Sequence, residues 1–583
     1  MAHGDVGLEL GQRVADALRR GLGLEITPEE AVIRPSTRAG ADYQCNAAMG
    51  LGKRVGKAPR EIAQVIVEHL DADDVLEAPE VAGPGFINLT LRTDWLQRRA
   101  AALLGDERAG VPLTTEPRRY ALDYSSPNVA KEMHVGHLRS SIIGDAIARL
   151  LRFSGHEVNA HNHLGDWGTP FGMLIEHLLD EGKTASEQSG GHTVADLNGF
   201  YQEARKKFDA DADFANRARA RVVALQGGDE ETLTLWRQLV EESTRHFQKV
   251  YDLLGIQLTA DDTYGESFYN PYLDEIILDL EAKGLTQVSD GAVCVFPPGF
   301  SNREGEPLPL IVRKTDGGYG YATTDLATAR YWAREREMTD LLYVVGAPQA
   351  QHFQMVFAAS RQAGYLGDEH NAVHIGFGSI LGADGKTIRT RAGGSVKLVD
   401  LLNEAMEHGA SVVAERSELD EVERAAVAKA VGIGAVKYAD LSGDLQKDYL
   451  FTWEKMLAHN GNTSVYLQYA NARIKSVLRK AGTVPPAGTE ITLDDPAERA
   501  LALTVLRFPA AVAAATVEYA PHKLCQHLFE TATAFTTFYE TCPILRADIP
   551  APVRDSRLVL ARVTSTVLEL GLSLLGIEAP ERL

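Results

Sequence analysis

The run Ser126-Pro-Asn-Val-Ala-Lys-Glu-Met-His134-Val-Gly136-His137 sets two imidazoles three residues apart around a glycine. Imidazole nitrogens donate hydrogen bonds to phosphate oxygens, and a glycine lets a nucleobase come close to the backbone. The plain alternative is a capped surface helix with two incidental histidines, and His-x-Gly-His by itself does not decide between them. A second grouping, His161-Asn-His163-Leu-Gly165-Asp166-Trp167-Gly168, puts two histidines and an acid within six residues. On a strand His161 and His163 would share a face, which raises the question of a metal. No further ligand is evident in the sequence, so no metal held by the protein is expected. Packing is the default role for Trp167.

These groups need elements that hold them. RRYALDYSSPN reads as a strand running into a loop, and Leu138, Ile142, Ala146, Ile147, Leu150 and Leu151 then fall on one helical face. A second strand over 157–162 completes a βαβ-like unit, and the pattern returns at 340–345. This order predicts an α/β protein with a Rossmann-like parallel sheet, whose carboxyl edge is where such folds bind nucleotides. Residues from about 5 to 100 read as a small mixed α/β unit, with a helix at 60–70 and a strand at 86–91. The charged stretch 182–248 suits a helical insertion. From Val422 onward a sustained helical period, broken by the Pro- and Gly-rich connection 481–496, predicts an all-α bundle. The expected domains are therefore 1–105, 106–421 and 422–583.

Composition narrows the classes. The 583 residues exceed one compact core and suggest roughly three or four domains. With 45% hydrophobic and 24% charged residues, disorder and coiled coil are excluded as the main architecture. A net charge of -21 disfavours binding polyanions through overall charge, so a nucleic-acid partner would need locally basic surfaces. The four cysteines form no Cys-x-x-Cys pair, and reduced, cytoplasmic thiols are the plain reading. The most apolar stretch, 500–517, is broken by Arg507 and Pro509, so no membrane span is expected.

The stretch SSPNVAKEMHVGHLRSSIIGD resembles the HIGH motif region of class I aminoacyl-tRNA synthetases, and with NHLGDWGTPFGMLI it resembles the arginyl-tRNA synthetase family in particular. The resemblance continues through ADYQCNAAM, YATTDLATARY, GAVKYADLS, GNTSVYLQYANARI and the terminal LLGIEAPERL. It implies ATP-dependent joining of L-arginine to tRNA(Arg) through an adenylate. His134, Gly136 and His137 would meet ATP, with Gly165 and Asp166 beside the nucleotide and Lys131 supplying a phosphate contact. The family's KMSKS signature corresponds to Asp384-Gly-Lys386-Thr-Ile-Arg389-Thr-Arg391, which departs from that pattern yet keeps Lys386, Arg389 and Arg391 as cations on a Gly-rich loop.

A guanidinium presents a planar fork of donors that carboxylates match in pairs. By resemblance the arginine site would be Asp123, Tyr321, Asp325 and Gln349, with Ser126 and Asn128 near the amino-acid backbone. The bland alternatives are a strand-end carboxylate for Asp123 and a helix N-cap for Asp325. In the helical domain Tyr466, Tyr469 and Arg473 are the candidates for RNA contact, although the same spacing serves a core. The resemblance further implies Mg²⁺ carried by ATP, a monomer, an N-terminal domain against the tRNA elbow, and adenylate formation that requires tRNA. Two rivals remain open from sequence: an idle tRNA-binding relative, and a class I ligase charging another small molecule.

Overall fold

The computed structural model describes residues 4–182, 194–388, 396–414 and 419–583. The chain packs as two compact units. One comprises Met1–Leu113, Val412–Tyr438 and Leu457–Leu583, and the other Thr114–Ser411 with Ala439–Met456.

In the first unit the N-terminal segment forms a four-stranded antiparallel sheet, ordered Ile33–Pro35, Tyr43–Cys45, Phe86–Leu89, Glu80–Ala82, covered by the helices Val6–Leu22 and Pro59–His69. Ile87, Leu89 and Leu91 are buried, as their alternation predicts. The C-terminal helices Ser464–Ala481, Pro521–Thr541 and Ala551–Leu574 pack on one another around Leu528, Phe535, Val567 and Leu568. The two segments meet inside this unit, where Arg499 makes a two-pronged contact with the buried Asp42, 2.7 Å to each oxygen. The apolar stretch Pro496–Val517 is long and apolar enough by composition to cross a membrane. It folds instead as two ten-residue helices, Pro496–Val505 and Phe508–Val517, with Arg507 at the break donating to the Asp42 carbonyl.

The second unit holds the expected parallel sheet. Its strands run in the order Asn371–Phe377, Asp340–Gly346, Arg119–Asp123, Glu157–His161, every neighbouring pair parallel. The helix Val135–Phe153 comes after the strand Arg119–Asp123, and all six residues of its expected apolar face are buried. Gly144 permits that packing, because a Cβ there would lie 2.2 Å from the Tyr124 ring. Register sets the chemistry of the carboxyl edge: Asp123 pairs with His161 on one side and with Tyr343 on the other, so three polar side chains are delivered together there. The charged stretch expected as an insertion is helical over Val194–Ala210, Ala212–Gln226 and Glu230–Leu254. The last of these runs past 248 and carries a buried stripe of Leu235, Leu239, Ser243, Phe247, Val250, Tyr251 and Leu254.

Candidate active site

His134 is the N-cap of the helix Val135–Phe153 and His137 its third residue. The Gly136 amide donates to His134 Nδ1 at 3.0 Å, and the His134 amide donates to His137 Nδ1 at 3.1 Å. Each Nδ1 is thus an acceptor, so each neutral ring carries its proton on Nε2. Burial first, then neighbouring positive charge, lowers both pKa values, that of His137 to about 3. The outcome is two uncharged imidazoles at a helix N-terminus with Nε2–H groups left to donate, an arrangement suited to anionic oxygens. The capped-helix alternative is therefore correct as geometry, and it is also what fixes the donors. A Cβ on Gly136 would fall 2.7 Å from the His134 ring and displace it. Lys131 is exposed, with its ammonium 4.9 Å above the Tyr201 ring.

The described residues on either side of 389–395, the stretch expected to bear two of the second set of cations, are held by backbone hydrogen bonds. After the short strand Ile380–Leu381, Gly382 donates to the Lys386 carbonyl at 2.7 Å, and Lys386 itself is exposed on the turn. Beyond the turn, Val135 donates to Val396 and Leu398 donates to Met133, while Lys397 pairs with Glu132 at 3.0 Å. Residues 396–398 thus lie against the two-histidine turn. Arg389 and Arg391 lie outside the described residues.

Asp123 is buried at the strand end. Its Oδ1 accepts from Ser126 Oγ at 2.8 Å, and its Oδ2 lies 3.2 Å from His161 Nδ1. Burial opposes its charge, but His161, His163 and Ser126 outweigh burial and hold the carboxyl below its usual range. The loop that brings Ser126 there is strained, with Ser125, Ser126 and Ala130 all at positive φ (74°, 49° and 60°). The helix Glu230–Leu254 over-determines it. Ser243 Oγ accepts from the Ala130 amide at 3.0 Å, and Tyr251 Oη bonds Ser125 Oγ at 2.8 Å and Asn162 Nδ2 at 3.1 Å. Asn128 is exposed on this loop, which pairs with Gly165 through backbone bonds from Val129 and to Pro127. The cluster Asp123, His161, His163 supplies the third donor group that the sequence did not reveal.

Asp166, expected beside the nucleotide, is held by the start of a neighbouring helix. It is 3% exposed, and its oxygens accept from the Ser267 amide and hydroxyl at 2.8 and 2.6 Å. Its carboxylate is spent on starting the helix Glu266–Ala282. Glu266, beside it, has its pKa raised to about 7, by burial first and then by Asp166 and Asp325. Asp325 is no N-cap either, because the helix Tyr321–Arg330 is capped by Gly320 and Asp325 sits in its second turn. There Asp325 Oδ2 lies 2.6 Å from His352 Nε2. Tyr321 is 77% exposed, and Gln349 is exposed at the start of the helix Ala350–Gln362.

In the helical segment of the other unit the aromatics divide. Tyr438 is core, donating to the Cys525 carbonyl, whereas Tyr466 and Tyr469 are half-buried and Arg473 is exposed over the Tyr539 ring. Sequence reading left His352, Tyr251 and Ser243 without a part. The signal for the last two was available: hydroxyls eight residues apart inside an otherwise apolar helical stripe.

A parallel sheet with a two-imidazole helix cap at its carboxyl edge, and residues 396–398 bonded to the turn that bears the cap, has the frame of a class I aminoacyl-tRNA synthetase. The family described as "tRNA synthetases class I (R), catalytic domain" matches residues 99–453, the arginyl tRNA synthetase N terminal domain matches 8–91, and the DALR anticodon binding domain matches 467–583. The chain belongs to the arginyl-tRNA synthetase family. It is 53% identical to arginine–tRNA ligase from Thermobifida fusca over 98% of this chain and 99% of that one. Among solved structures it resembles arginyl-tRNA synthetase from Plasmodium falciparum, with a TM-score of 0.84, 27% identity and full coverage of both chains. The Thermus thermophilus arginyl-tRNA synthetase gives a TM-score of 0.81 at 25% identity, covering 99% of this chain and 100% of that one.

Proposed function

We propose that this chain attaches L-arginine to tRNA(Arg) at the expense of ATP. A carboxylate oxygen of arginine attacks the α-phosphorus, the bond to the β-phosphate oxygen breaks, and pyrophosphate leaves. A terminal ribose hydroxyl of the tRNA, the 2′-OH in the family that this chain resembles, then attacks the carbonyl carbon, and AMP departs. The observation that carries the reading is the pair of neutral imidazoles whose Nδ1 atoms are occupied by backbone amides, so that two Nε2–H donors are aimed without reorganisation. Those of His134 and His137 stabilise charge gathering on the phosphates. Lys386, Arg389 and Arg391 hold the leaving pyrophosphate, with Lys131 alongside.

Asp123 and Asp325 select the guanidinium, Tyr321 and Gln349 border that pocket, and Ser126 and Asn128 meet the amino-acid backbone. Gly165 shapes the wall beneath Asn128. Mg²⁺ arrives with the nucleotide phosphates: the candidate metal clusters among the described residues bear imidazoles, and Asp123 already accepts from Ser126 and His161, a poor match for a hard cation. Tyr466, Tyr469 and Arg473 contact the tRNA. We place the protein in the cytoplasm as a monomer, without membrane attachment, working as segments 1–105, 106–421 and 422–583.

The test is amino-acid-dependent ATP–pyrophosphate exchange across all twenty amino acids, with and without total tRNA. Exchange with arginine alone, and only with tRNA present, is expected. Exchange with a different amino acid would overturn the acid assignments. Silence throughout with tRNA binding intact would favour an idle tRNA-binding relative.

A further inference from the structure

His161 lies behind Asp123, inside the sheet edge. It is 1% exposed, and the family resemblance gives it no part. Its Nε2 is backed by two buried side chains. Trp332 Nε1 lies 3.2 Å from the Tyr269 hydroxyl, and an indole nitrogen only donates, so the Tyr269 oxygen accepts. The Tyr269 hydroxyl lies 3.2 Å from His161 Nε2 and has its own proton to give. A Tyr269 proton given to Nε2 leaves the ring proton on Nδ1, which is the atom 3.2 Å from Asp123 Oδ2. Trp332 and Tyr269 are both fully buried, so no water competes for any link in this chain.

We infer that His161 is a positioning residue for substrate recognition: backed by Tyr269 and Trp332, it holds its Nδ1 against Asp123 Oδ2 at 3.2 Å, while Ser126 fixes Oδ1. This inference rests on the proposed role of Asp123. With one lone pair of each oxygen engaged from the protein side, the carboxylate has a set plane, and the remaining lone pairs face the cationic substrate. The carboxylate is also kept ionised in a buried place, where an unsupported one would take up a proton. The three-element origin of the chain is what makes it directional. His161 ends a strand in register with Asp123, Tyr269 comes from the helix Glu266–Ala282, and Trp332 from the segment Tyr331–Glu335.

The experiment compares KM for arginine and KM for ATP in the full-length enzyme, by tRNA-dependent exchange, for His161→Leu, His161→Asn, Tyr269→Phe and Asp123→Asn. An asparagine amide nitrogen falls near the position of imidazole Nδ1, so it restores the donor without the ring. His161→Leu is expected to raise KM for arginine about ten- to a hundred-fold, the weight of a hydrogen bond to a charged group, with KM for ATP within about two-fold. His161→Asn should recover most of that loss, and Tyr269→Phe should show a smaller rise in the same direction. An unchanged KM for arginine in His161→Leu, an equal rise for ATP, or an asparagine variant as impaired as leucine overturns the inference. Should His161→Leu fail to fold, Tyr269→Phe decides by the same reading. Asp123→Asn separates the two levels: no effect on arginine removes the reading of Asp123 itself, whereas impairment there beside a normal His161→Leu removes only the positioning role.

Discussion

His352 Nε2 sits 2.6 Å from Asp325 Oδ2, so a carboxylate assigned to the substrate cation also carries an imidazole. That hydrogen bond is the main reason the His352 pKa is raised, outweighing burial. A raised histidine pKa means that the folded state favours the protonated form. The stabilisation from the pair is full below the ordinary value of about 6.5 and is lost as pH rises through the raised one. For the substrate the sign is opposite, because imidazolium competes with guanidinium for Asp325. KM for arginine is expected to climb as pH falls from about 8 to about 6, and His352→Asn should flatten the climb. Parallel profiles for the two proteins would show that His352 does not compete.

Gly165 and Asn128 support a second prediction. A Cβ on Gly165 would lie 2.3 Å from Asn128 Oδ1 and 3.5 Å from its Cα. The side chain of Asn128 must swing away, and the loop with its three left-handed residues has little slack to absorb the shift. Gly165→Ala should cost about 1–3 kcal/mol, expressed mainly as weaker arginine binding. Isothermal titration with arginine would check this, and unchanged affinity would place Asn128 outside the pocket.

Much of the sheet was legible because its signals are local. The strand Arg119–Asp123, the helix Val135–Phe153 and the strand Asp340–Gly346 each carry their own apolar period, and the structure forms each of them where that period runs. The strand-to-helix turn that carries His134 and His137 was legible from its local pattern, and turns at a carboxyl edge are where such folds bind ligands, whereas Asp123 was singled out by family resemblance. What could not be read was register and long-range pairing. Nothing in the sequence says that Asp123 lies opposite His161, or that Ser243 reaches back 113 residues to the Ala130 amide. The long helix Glu230–Leu254 looked like an insertion since its exposed face is densely charged, and its buried stripe shows only when the positions are read at helical spacing. Nor does the sequence say that Asp166, an acid in a Gly- and Trp-rich turn, is bonded by Ser267, 101 residues away.

Arg139, on the helix that begins at the two histidines, is buried against Asp440, 2.6 Å from Nε to Oδ1, and also donates to the carbonyls of Gly378 and Lys447. Asp440 Oδ2 finds no partner among the described residues, and burial raises its pKa to about 6 despite the arginine. Arg139→Leu would leave a buried carboxyl and two carbonyls unmatched, at about 3–5 kcal/mol. Urea unfolding should show that loss, and the double variant Arg139→Leu with Asp440→Leu should recover most of it. A double variant as unstable as the single one would mean that the carbonyl contacts matter more than the ion pair.

His527 is buried in the helical segment and its pKa is lowered to about 3, by burial first and then by Arg507. The unfolded chain binds a proton near 6.5 that the folded one refuses, so this site favours unfolding progressively as pH drops below about 6.5. The effect reaches on the order of 3 kcal/mol by about pH 4. His527→Leu should flatten the stability curve over that interval. Denaturant titrations at several pH values would test it, and an unaltered slope would remove His527 as a source of acid sensitivity.

His137 combines both themes. Its pKa of about 3 means that it works uncharged, and the His134 amide on Nδ1 leaves Nε2–H as the only proton it can offer. In the proposed reaction its contribution is then a fixed dipole aimed at developing phosphate charge, with no protonation step in the usual assay range. His137→Ala should lower turnover by roughly tens to thousands of fold while sparing tRNA affinity. His137→Gln, whose amide nitrogen reaches close to the place of Nε2, should retain part of the activity. Neither variant should shift the ionisations seen in the pH profile of turnover above about pH 5, since the residue they replace does not titrate there. A limb of that profile that vanished in His137→Gln would show that the ring takes up a proton during the reaction, and the neutral-donor role would have to be given up.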